Sequence, residues 1–546
     1  MKKNLLLTFM LSFSLFVFAQ KTSSPKVEKL DDAITIHKEL DVDDAESGYL
    51  VIPVEKNGLI LAYMPEGKSK NGMQEFAFKK LNTDLGEEYV SKISINKNYN
   101  IKTYAIEGDY LYVLFASKSA QLSMFPDYTL VKVNTKEKET KIYLGLPEKT
   151  LYFSKMLVHN GVVSLSGKYG PSTGTIYATS CVSALFCYIP LLFIHYKFSP
   201  VIINIDMKGK NSIKKEFAMQ NYEKGAVEFV DMDVNDSLGE INFIINHDYK
   251  KSNKTFLRTL KSGKLSSDIN VKKPNGVQIT NSKINVVDAE NKVIMGTYSK
   301  YGKSTSSSQG VFVSMMEGAK QKYFKSIPWN KFKNFNVAKT KAETKAMKKN
   351  EKKGKTTDVL IQVIFHDVLI RENELVFFGE TYYPRYETRT EVTYVNGRPS
   401  YRTVTVFIGY QYVGALAFAL DESGELIWDQ GFNLTGPLTF YLRERYRFTE
   451  IGDNQYAVAY NEGMKLRVQT FDKESSELEI KEVDMQTGKK GDKVKEYYPG
   501  SSDINYWYDD FYLATGRQNI KNKNEKGSAK KRNVFYLNKI ELPLSN

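Results

Sequence analysis

The residue types that most often do chemistry in proteins stand in incomplete arrangements in this sequence. The five histidines are scattered, and none lies at the spacing of zinc ligands or of a zinc-protease helix. The run DMDVND supplies Asp231, Asp233 and Asn235 at the first three ligand positions of a calcium loop. However, Asp236 replaces the turn glycine of that loop, and Asn242 replaces its closing glutamate. We interpret the run as an acidic β-turn, with calcium binding as the alternative, and we predict no metal site and no cofactor.

Two other kinds of catalytic signal are also inconclusive. The segment YGKST at 301–305 ends like a phosphate-binding loop, but the position of that loop's first glycine is Thr297 and no helix pattern follows. Carboxylates are abundant, with 63 Asp and Glu residues. A pair that cleaves a glycosidic bond is defined by its distance in space, so spacing along the chain nominates no catalytic residue.

The N-terminus predicts export from a bacterial cell. Lys2 and Lys3 precede the apolar stretch LLLTFMLSFSLFVFA, and Val17 and Ala19 are the small residues that signal peptidase requires. We predict a signal peptide over residues 1–19, and the alternative is a retained anchor. The apolar stretch is shorter than the roughly 20 residues of a membrane span, and no cysteine follows it for lipid attachment. A periplasmic or secreted location is therefore expected.

Only two cysteines occur, Cys181 and Cys187, so the chain has no disulfide framework. The residues between them contain no Gly, Pro or Asn to reverse the chain, and an extended or helical path separates the two thiols too far for a bridge. We expect buried free thiols, with a disulfide as the alternative.

One short pattern, a polar turn followed by five or six mostly apolar residues, occurs eight times. The copies are GLILAY at 58–63, DYLYVLF at 109–115, GVVSLSG at 161–167, EINFIIN at 240–246, KVIMGTY at 292–298, ELVFFGE at 374–380, QYAVAYN at 455–461 and DFYLATG at 510–516. Four of the seven steps between copies are 51 to 55 residues, and β-hairpin patterns follow most copies. This repeat predicts an all-β fold, a single β-propeller of seven or eight blades over residues 20–546. A β-sandwich pair or a β-helix is the alternative.

The two ends of the chain suggest how the ring closes. The last copy is followed by one further strand pattern, VFYLNKIELPL, so the last blade lacks an outermost strand. AITIHKEL at 33–40 is a strand pattern that the first blade does not need. We predict that residues 33–40 complete the last blade.

The turn ALDESGELIW, Ala419 to Trp428, resembles the tryptophan-docking turn of quinoprotein-like propellers. In that family the fold is commonly eight-bladed, and the tryptophan of each blade packs against that of its neighbour. The resemblance covers ten residues and occurs once, since the equivalent turn from Asp206 to Gly209 has no tryptophan. The resemblance implies a propeller, and its single occurrence argues against a quinone-dependent enzyme.

Three insertions interrupt the blades, at about 170–198, 330–357 and 383–410. The first contains the uncharged and nearly all apolar segment 179–194, which either packs on the propeller or contacts a partner or membrane surface. The second belongs to a lysine-rich run, 320–355, of net charge +11. This run is either a solvated loop or frayed helix, or an electrostatic site for anionic glycans or headgroups. With the N-terminal lysines and residues 521–532, it accounts for the net charge of +14 and leaves a mildly acidic body.

The third insertion is predicted to form a long two-stranded arm around the turn Asn396-Gly397. Its tyrosines and arginines are of the type enriched at interfaces. It either lies over a neighbouring blade or forms a binding surface. The candidate binding residues are Tyr383, Arg385, Tyr386, Arg389, Tyr394, Arg398, Tyr401 and Arg402.

Taken together, these features favour a binding or scaffold protein of the cell envelope that recognises a protein or glycan. A propeller-type carbohydrate-active hydrolase or lyase is the alternative. Nucleic acid is not expected as a partner, because Lys outnumbers Arg 65 to 12 and no aromatic residues interleave with the lysine run. A central funnel with two or more carboxylates within about 10 Å would favour the hydrolase, and a funnel lined by apolar and amide groups would exclude it.

Overall fold

The computed structural model describes most of the chain after residue 26. The described residues are 27–42, 49–65, 71–117, 128–146, 151–170, 199–207, 213–218, 226–249, 252–300, 302, 307–335, 341–371, 373–395, 398–434, 436–440, 442–474, 478–498 and 501–542. The predicted signal peptide and the apolar segment 179–194, with both cysteines, lie outside these residues.

The described residues form eight antiparallel sheets of at least four strands, one for each predicted motif copy. In the first four sheets the strands run in chain order from the axis of the ring outward. Blade 1 is β3 (Leu50–Pro53), β4 (Leu59–Tyr63), β5 (Met73–Leu81) and β6 (Glu87–Asn96); blade 2 is β7 (Tyr99–Glu107), β8 (Tyr110–Ser117), β9 (Tyr128–Asn134) and β10 (Thr140–Leu146). Blade 3 is β11 (Leu151–His159), β12 (Val162–Tyr169), β13 (Ser199–Asp206) and β14 (Ile213–Ala218); blade 4 is β15 (Ala226–Asn235), β16 (Glu240–Tyr249), β17 (Ser252–Lys261) and β18 (Lys264–Asn270).

The remaining blades carry additional strands. Blade 5 is β19 (Val277–Val286), β20 (Asn291–Lys300), β21 (Gly310–Glu317) and β22 (Lys320–Pro328); blade 6 is β23 (Gln362–Phe365) with β24 (Leu369–Ile370), β25 (Leu375–Val395), β26 (Arg398–Leu420), and β27 (Leu426–Phe432) with β28 (Leu438–Thr439). Blade 7 is β29 (Arg447–Gly452), β30 (Gln455–Glu462), β31 (Lys465–Asp472), β32 (Leu478–Asp484) and β1 (Val27–Lys29); blade 8 is β33 (Asp492–Tyr497) with β34 (Asp503–Tyr508), β35 (Phe511–Asn522), β36 (Lys531–Glu541) and β2 (Ile34–Asp41). The fold is an eight-bladed β-propeller.

Each predicted motif copy forms the second strand of a blade. In β8, for example, every residue from Leu111 to Ala116 is buried. A second strand is covered on both faces by the neighbouring blades, so both sets of alternating side chains are apolar. This double burial explains why the repeat appears as short continuous apolar runs rather than as an alternating pattern.

Eight apolar clusters hold the ring together, one at each interface between consecutive blades. The cluster between blades 8 and 1 joins Leu513 and Trp507 to Leu59 and Leu61. There the indole Nε1 of Trp507 donates a hydrogen bond of 2.8 Å to the carbonyl oxygen of Gly58. Because the last blade packs on the first in the same way as the others pack on their neighbours, the ring is closed.

The prediction that residues 33–40 complete the last blade is confirmed. Strand β2 pairs antiparallel with β36, with His37 opposite Asn538, and becomes the outermost strand of blade 8. Strand β1 also pairs with the edge of blade 7, in parallel. Two N-terminal strands therefore join the last two blades, and we call β2 and its partners the clasp.

Charged groups reinforce the clasp. The Glu39 carboxylate accepts a hydrogen bond of 2.7 Å from Arg532, which also donates to Asp492 at 2.7 Å. Burial raises the pKa of Glu39, but hydrogen bonds from His37 and Arg532 outweigh this and lower it to about 2. Burial lowers the pKa of His37, but hydrogen bonds with Glu39 and Asn538 outweigh it, so that pKa is raised.

The alternation of strand direction gives the ring two different faces. Connections after the second and fourth strands of a blade lie on one face, and those after the first and third strands lie on the other. All three insertions follow a second or a fourth strand, so the strands that flank them end at the same face. We call it the insertion face, and the opposite one the turn face.

The second insertion contains a helix, α1 (Lys341–Glu351), on the insertion face. Its lysines are solvent-exposed where their side chains are described, as are those of the segment that follows: Lys345, Lys348, Lys349, Lys352, Lys353 and Lys355. Within the described ranges, no helix is long and apolar enough to cross a membrane.

The tryptophan of the quinoprotein-like turn packs across a blade interface, but its partners differ from those of that family. The Trp428 ring lies 5.3 Å from Tyr456 and 5.8 Å from Phe471 of blade 7, centroid to centroid. The resemblance thus anticipated the interface and the number of blades, whereas the expected tryptophan partner is replaced by other aromatic residues.

Candidate functional site

The first strands of the blades surround a central channel whose walls are charged. First strands of consecutive blades contact each other from blade 2 to blade 6. The ammonium group of Lys155 in blade 3 lies 2.7 Å from Oδ1 of Asp231 in blade 4. The other oxygen of Asp231 accepts the backbone N–H of Ile284 in blade 5 at 2.9 Å. These side chains therefore tie three blades together at the axis.

The acidic run DMDVND lies in this wall and its end turn. Asp233 accepts the backbone N–H of Val286 at 2.7 Å, and burial raises the pKa of Asp233. Asn235 donates to the carbonyl oxygen of Ala289 at 2.9 Å. Asp233 and Asn235 are therefore engaged with backbone groups of blade 5. Within the described residues, no group of three or more His, Cys, Asp or Glu side chains is arranged to hold a metal ion.

Further along the channel a pair of carboxylates flanks one lysine. Glu444 precedes β29 and so lies toward the insertion face, whereas Asp367 lies level with Asn285 near the other end of β19. The Lys283 ammonium lies 2.8 Å from Oδ1 of Asp367 and 3.8 Å from Oε1 of Glu444. The two carboxylate oxygens are therefore at most about 7 Å apart, which is compatible with the separation of about 5 to 5.5 Å found in retaining glycoside-cleaving pairs. The Asp367 side chain is 84% exposed, so water reaches it although protein surrounds it.

The ionisation of Asp367 is fixed by its neighbours. Desolvation by the channel wall raises its pKa, but attraction to Lys283, hydrogen bonds from Lys283 and Asn285, and attraction to Lys155 outweigh this effect. The pKa of Asp367 is lowered as a result, and its carboxylate is ionised at neutral pH. Lys155 belongs to blade 3 and Asp367 to blade 6, so this attraction acts across the channel.

A fully buried carboxylate positions the segment that carries Glu444. Oε1 of Glu380 accepts the backbone N–H groups of Arg445 at 2.7 Å and Tyr446 at 2.9 Å. The same oxygen lies 2.7 Å from Nε2 of His366, whose other ring nitrogen lies 3.8 Å from Glu444. Glu380 is on β25, the strand that continues into the arm. The base of the arm and the channel mouth therefore share one hydrogen-bond network.

Three arginines at alternate positions line the same segment. Arg443 pairs with Asp503 of blade 8 at 3.3 Å, and Arg447 donates to Asn505 at 2.9 Å. The buried guanidinium of Arg445 donates to the carbonyl oxygen of Ser502 at 3.1 Å. Burial lowers the pKa of Arg445. The mouth of the channel thus presents both cations and carboxylates to a ligand.

The third insertion forms the predicted two-stranded arm, made by the outer parts of β25 and β26. Residues 385–393 and 399–403 are all exposed, so the interpretation that the hairpin lies over a neighbouring blade is wrong. The arm projects from the insertion face, with both sides of the ribbon accessible.

The structure separates the predicted tyrosines from the predicted arginines. Tyr386 pairs with Phe407 and Val392 pairs with Tyr401, which places the exposed tyrosines on one face of the ribbon. Arg389 and Arg402 alternate onto the other face, where Arg389 is 2.9 Å from Glu387. Tyr383 is half-buried at the base, and Arg385 is exposed beside it. The side chains of Tyr394 and Arg398 lie outside the described residues.

The tyrosine face continues onto the propeller as an exposed aromatic surface. The ring of Phe407 lies 5.6 Å from that of Tyr386 and 6.4 Å from that of Phe440, centroid to centroid. Tyr386 is 58% and Phe440 is 64% exposed. We call these three residues the aromatic platform. Gly409, at a φ of 132°, lets β28 approach the base of the arm, because a Cβ there would lie 2.9 Å from the carbonyl oxygen of Thr439.

The platform and the channel mouth are connected through one short segment. Thr439, next to Phe440, accepts a hydrogen bond of 3.3 Å from the Arg445 guanidinium. Arg445 in turn is adjacent to Glu444 and held by Glu380. We take the aromatic platform and the channel mouth as the candidate site.

Sequence reasoning found the arm but missed the residues at the mouth. The residues that it did not nominate are Lys283, His366, Asp367, Glu380, Phe440, Arg443 and Glu444. Two signals could have indicated them. Glu380 is a charge that directly follows the apolar run LVFFG, and RERYR at 443–447 is a dense charged run that leads into the first strand of blade 7.

Comparison with known proteins yields fold similarity only. No protein-family model and no curated protein matches the chain. Among solved structures, polysaccharide lyase Uly1 aligns with 93% of this chain and 99% of its own, at 10% identity and a TM-score of 0.36. A prolyl endopeptidase aligns with 88% of this chain and 54% of its own, at 9% identity and a TM-score of 0.36. Prolyl oligopeptidase B from Galerina marginata aligns with 88% of this chain and 56% of its own, at 8% identity and a TM-score of 0.37. The chain thus spans about half the length of the two peptidases. At such scores these similarities do not discriminate between functions.

Proposed function

We propose that this chain is an exported propeller that binds an acidic polysaccharide across its insertion face. The polysaccharide lies on the aromatic platform and reaches the channel mouth. The main support is the continuity between the two: the rings of Tyr386, Phe407 and Phe440 form one exposed surface, and Thr439 connects it to Arg445.

The aromatic platform suits the apolar faces of sugar rings. Monomeric proteins rarely expose contiguous aromatic groups without a binding role. Rings fixed by their neighbours lose little entropy when a ligand covers them, which is why tyrosine recurs at recognition surfaces. Each ring of the platform is held by a ring neighbour at 5.6 or 6.4 Å. This surface therefore fits a flat, partly apolar polymer unit.

The charge of the insertion face favours an acidic polymer. Helix α1 and the following residues present exposed lysines on this face, and Arg443 at the channel mouth is 39% exposed. Carboxylate and sulfate groups match the fork of an arginine, and they are attracted to clustered lysines. The solvated-helix interpretation of the lysine run and a role in attracting glycans are therefore compatible.

The experiment is retardation of the purified protein in native gels that contain one polysaccharide each. Alginate, pectate and chondroitin sulfate are the acidic probes, and laminarin and soluble starch are the neutral controls. Retardation by at least one acidic polymer and by neither neutral polymer is expected. Equal mobility in all gels would contradict the proposal.

Cleavage of the bound polymer is the second candidate function. It is favoured by the carboxylates of Asp367 and Glu444, both within 4 Å of Lys283 and accessible from the channel. A separation below about 7 Å fits the retaining arrangement, in which one carboxylate attacks the sugar carbon while the other carboxyl group protonates the leaving oxygen. Water then hydrolyses the bond between sugar and enzyme. The hydrolase alternative requires two carboxylates within about 10 Å of each other in the channel, and this pair meets that requirement. Cleavage therefore remains a candidate function beside binding.

A further inference from the structure

The interface between blades 3 and 4 contains a cavity of about 430 Å³ near the turn face. Its walls are mostly apolar. They are formed by Val162 and Phe217 of blade 3 and by Val234, Ile241 and Leu260 of blade 4. Small-molecule sites usually have volumes of about 300 to 1,000 Å³ and such walls with a few polar groups. The cavity has both properties.

The cavity exists because blade 3 presents small polar residues to its neighbour. Val163 and Leu165 of β12 face blade 2, so Ser164 and Ser166 face blade 4. The corresponding strand of blade 2 presents Tyr112 and Leu114 to blade 3. In blades 5 and 6 the side chains at the next interface are likewise large: Val293, Met295, Val376 and Phe378. A pair of serines in one interface of this ring leaves unfilled volume.

Some polar groups of the cavity are already hydrogen-bonded, and others are free to bind a ligand. Ser164 donates a hydrogen bond of 2.9 Å to the carbonyl oxygen of the Asn204 side chain. This leaves the Asn204 amide nitrogen as a donor without a partner among the described residues. The His159 ring at the rim is already engaged, with Nδ1 at 2.8 Å from Asp236 and Nε2 at 2.6 Å from the Asn160 amide. Asp206 and Lys215 add one carboxylate and one ammonium group of opposite charge to the lining. The Asn204 amide is the uncharged donor beside this pair of charges.

We propose that this cavity is a second ligand site, which takes a small, uncharged, largely apolar molecule with a carbonyl or ether oxygen. The apolar part contacts Val162, Ile241 and Leu260, and the oxygen accepts a hydrogen bond from Asn204. A ligand there would contact blades 3 and 4 together, and it would raise the melting temperature by binding only the folded ring. The site is separate from the channel and does not depend on the proposed polysaccharide function.

The probe for this test is prodan, a neutral naphthyl ketone whose fluorescence moves to shorter wavelength in apolar surroundings. We expect saturable binding to the full chain with a blue-shifted emission and a higher melting temperature. Ser164→Leu and Ile241→Phe fill the cavity from opposite walls, and each is expected to weaken prodan binding at least tenfold. Asn204→Val is expected to weaken it about fivefold, because one hydrogen bond is lost.

Phe440→Ala is the matched control, since it removes an exposed ring that could bind prodan on the other face. Its prodan affinity is expected to equal that of the wild type. Thermal melting of every variant shows whether it is folded, and two filling variants on different blades guard against the failure of one. Unchanged prodan affinity in folded Ser164→Leu and Ile241→Phe, or no saturable binding to the wild type, would overturn the proposal.

Discussion

Glu380 accepts the backbone N–H of Arg445 at 2.7 Å, and through this bond the strand that extends into the arm also fixes the segment at the channel mouth. The carboxylate is fully buried and lies next to His366. Two parts of the chain that are 65 residues apart in sequence are thereby held in one arrangement. The candidate site depends on this contact, because Arg445 directly follows Glu444 and donates a hydrogen bond to Thr439, the neighbour of Phe440.

Replacing Glu380 tests this relationship. Glu380→Ala leaves two backbone donors and His366 without their acceptor in a buried place, so we expect the free energy of unfolding to fall by about 3 kcal/mol. Glu380→Gln keeps one acceptor oxygen, so its free energy of unfolding should fall clearly less than that of Glu380→Ala. Urea denaturation of both variants measures the difference. Equal stability of the alanine variant and the wild type would show that Glu380 does not hold the segment.

The aromatic platform is expected to supply a large part of polysaccharide affinity. Phe440→Ala and Tyr386→Ala each remove an exposed ring, and we expect at least a tenfold loss of affinity for the acidic polymer that binds best. Tyr506→Ala is the control, because Tyr506 is 53% exposed but lies near the turn face. Isothermal titration calorimetry gives the three affinities. A loss in the control as large as in the platform variants would refute this localisation.

The lysine-rich helix should act through charge. We expect the double change Lys348→Glu and Lys349→Glu to weaken binding, and raising NaCl to about 1 M to weaken wild-type binding about tenfold, because salt screens exposed charges. Lys138→Glu with Lys264→Glu makes the same charge change at exposed positions near the turn face, the first in a turn and the second at the start of β18. Binding that is insensitive both to salt and to the helix variant would exclude an electrostatic contribution.

The cleavage candidate has its own variants. Asp367→Asn and Glu444→Gln each remove one carboxylate while keeping size and polarity, so both should abolish the release of shorter chains and leave polymer binding within about threefold. Chain length is measured by size-exclusion chromatography after prolonged incubation. If the wild-type protein shortens none of the acidic polymers, cleavage is rejected and binding remains.

The clasp predicts how stability depends on pH. The folded pKa of Glu39 is about 2, below its ordinary value of 4.5. The contribution of Glu39 to the free energy of unfolding is therefore present above pH 4.5 and is lost as the pH falls toward 2. The pKa of His37 is raised in the folded protein. Its contribution to the free energy of unfolding is therefore complete below pH 6.5 and is lost as the pH rises through this raised pKa. The clasp is therefore strongest between about pH 4.5 and 6.5.

This dependence is measured by denaturation of the wild type, Glu39→Gln and His37→Gln between about pH 3 and 8. Near pH 6 we expect Glu39→Gln to lower the free energy of unfolding by about 2 kcal/mol. The difference should shrink at pH 3. A constant difference over the whole range would contradict the assigned role of Glu39. Removal of the residues before Asp41 should lower the melting temperature more than either substitution, because blade 8 then loses its outer strand.

The sequence indicated the fold because the repeat reflects a local cause. Each second strand is buried between two blades, so a motif such as DYLYVLF is apolar at nearly every position wherever it occurs. The closure by residues 33–40 followed from counting strands. The channel mouth could not be predicted in this way, since Lys283, Asp367 and Glu444 come from three segments that only the ring brings together.

The arm illustrates the same limit on a smaller scale. Its tyrosines and arginines are interleaved in sequence, and only the register between β25 and β26 assigns them to opposite faces. The shift of one residue between Arg385 and Tyr386 depends on a bulge, which the alternating pattern does not reveal. As a result, the predicted mixed surface is in fact an aromatic face and a charged face.

Hydrogen–deuterium exchange with and without a saturating acidic polysaccharide shows which face of the propeller the polymer covers. If the polymer binds across the insertion face, exchange should slow in the arm around Tyr386 and Phe407 and in the segment from Phe440 to Arg447. Peptides of the turn face, such as those around Tyr110 and Ser262, should be unaffected. Slowed exchange at the turn face alone, or no change at the platform under saturating polymer, would contradict the account.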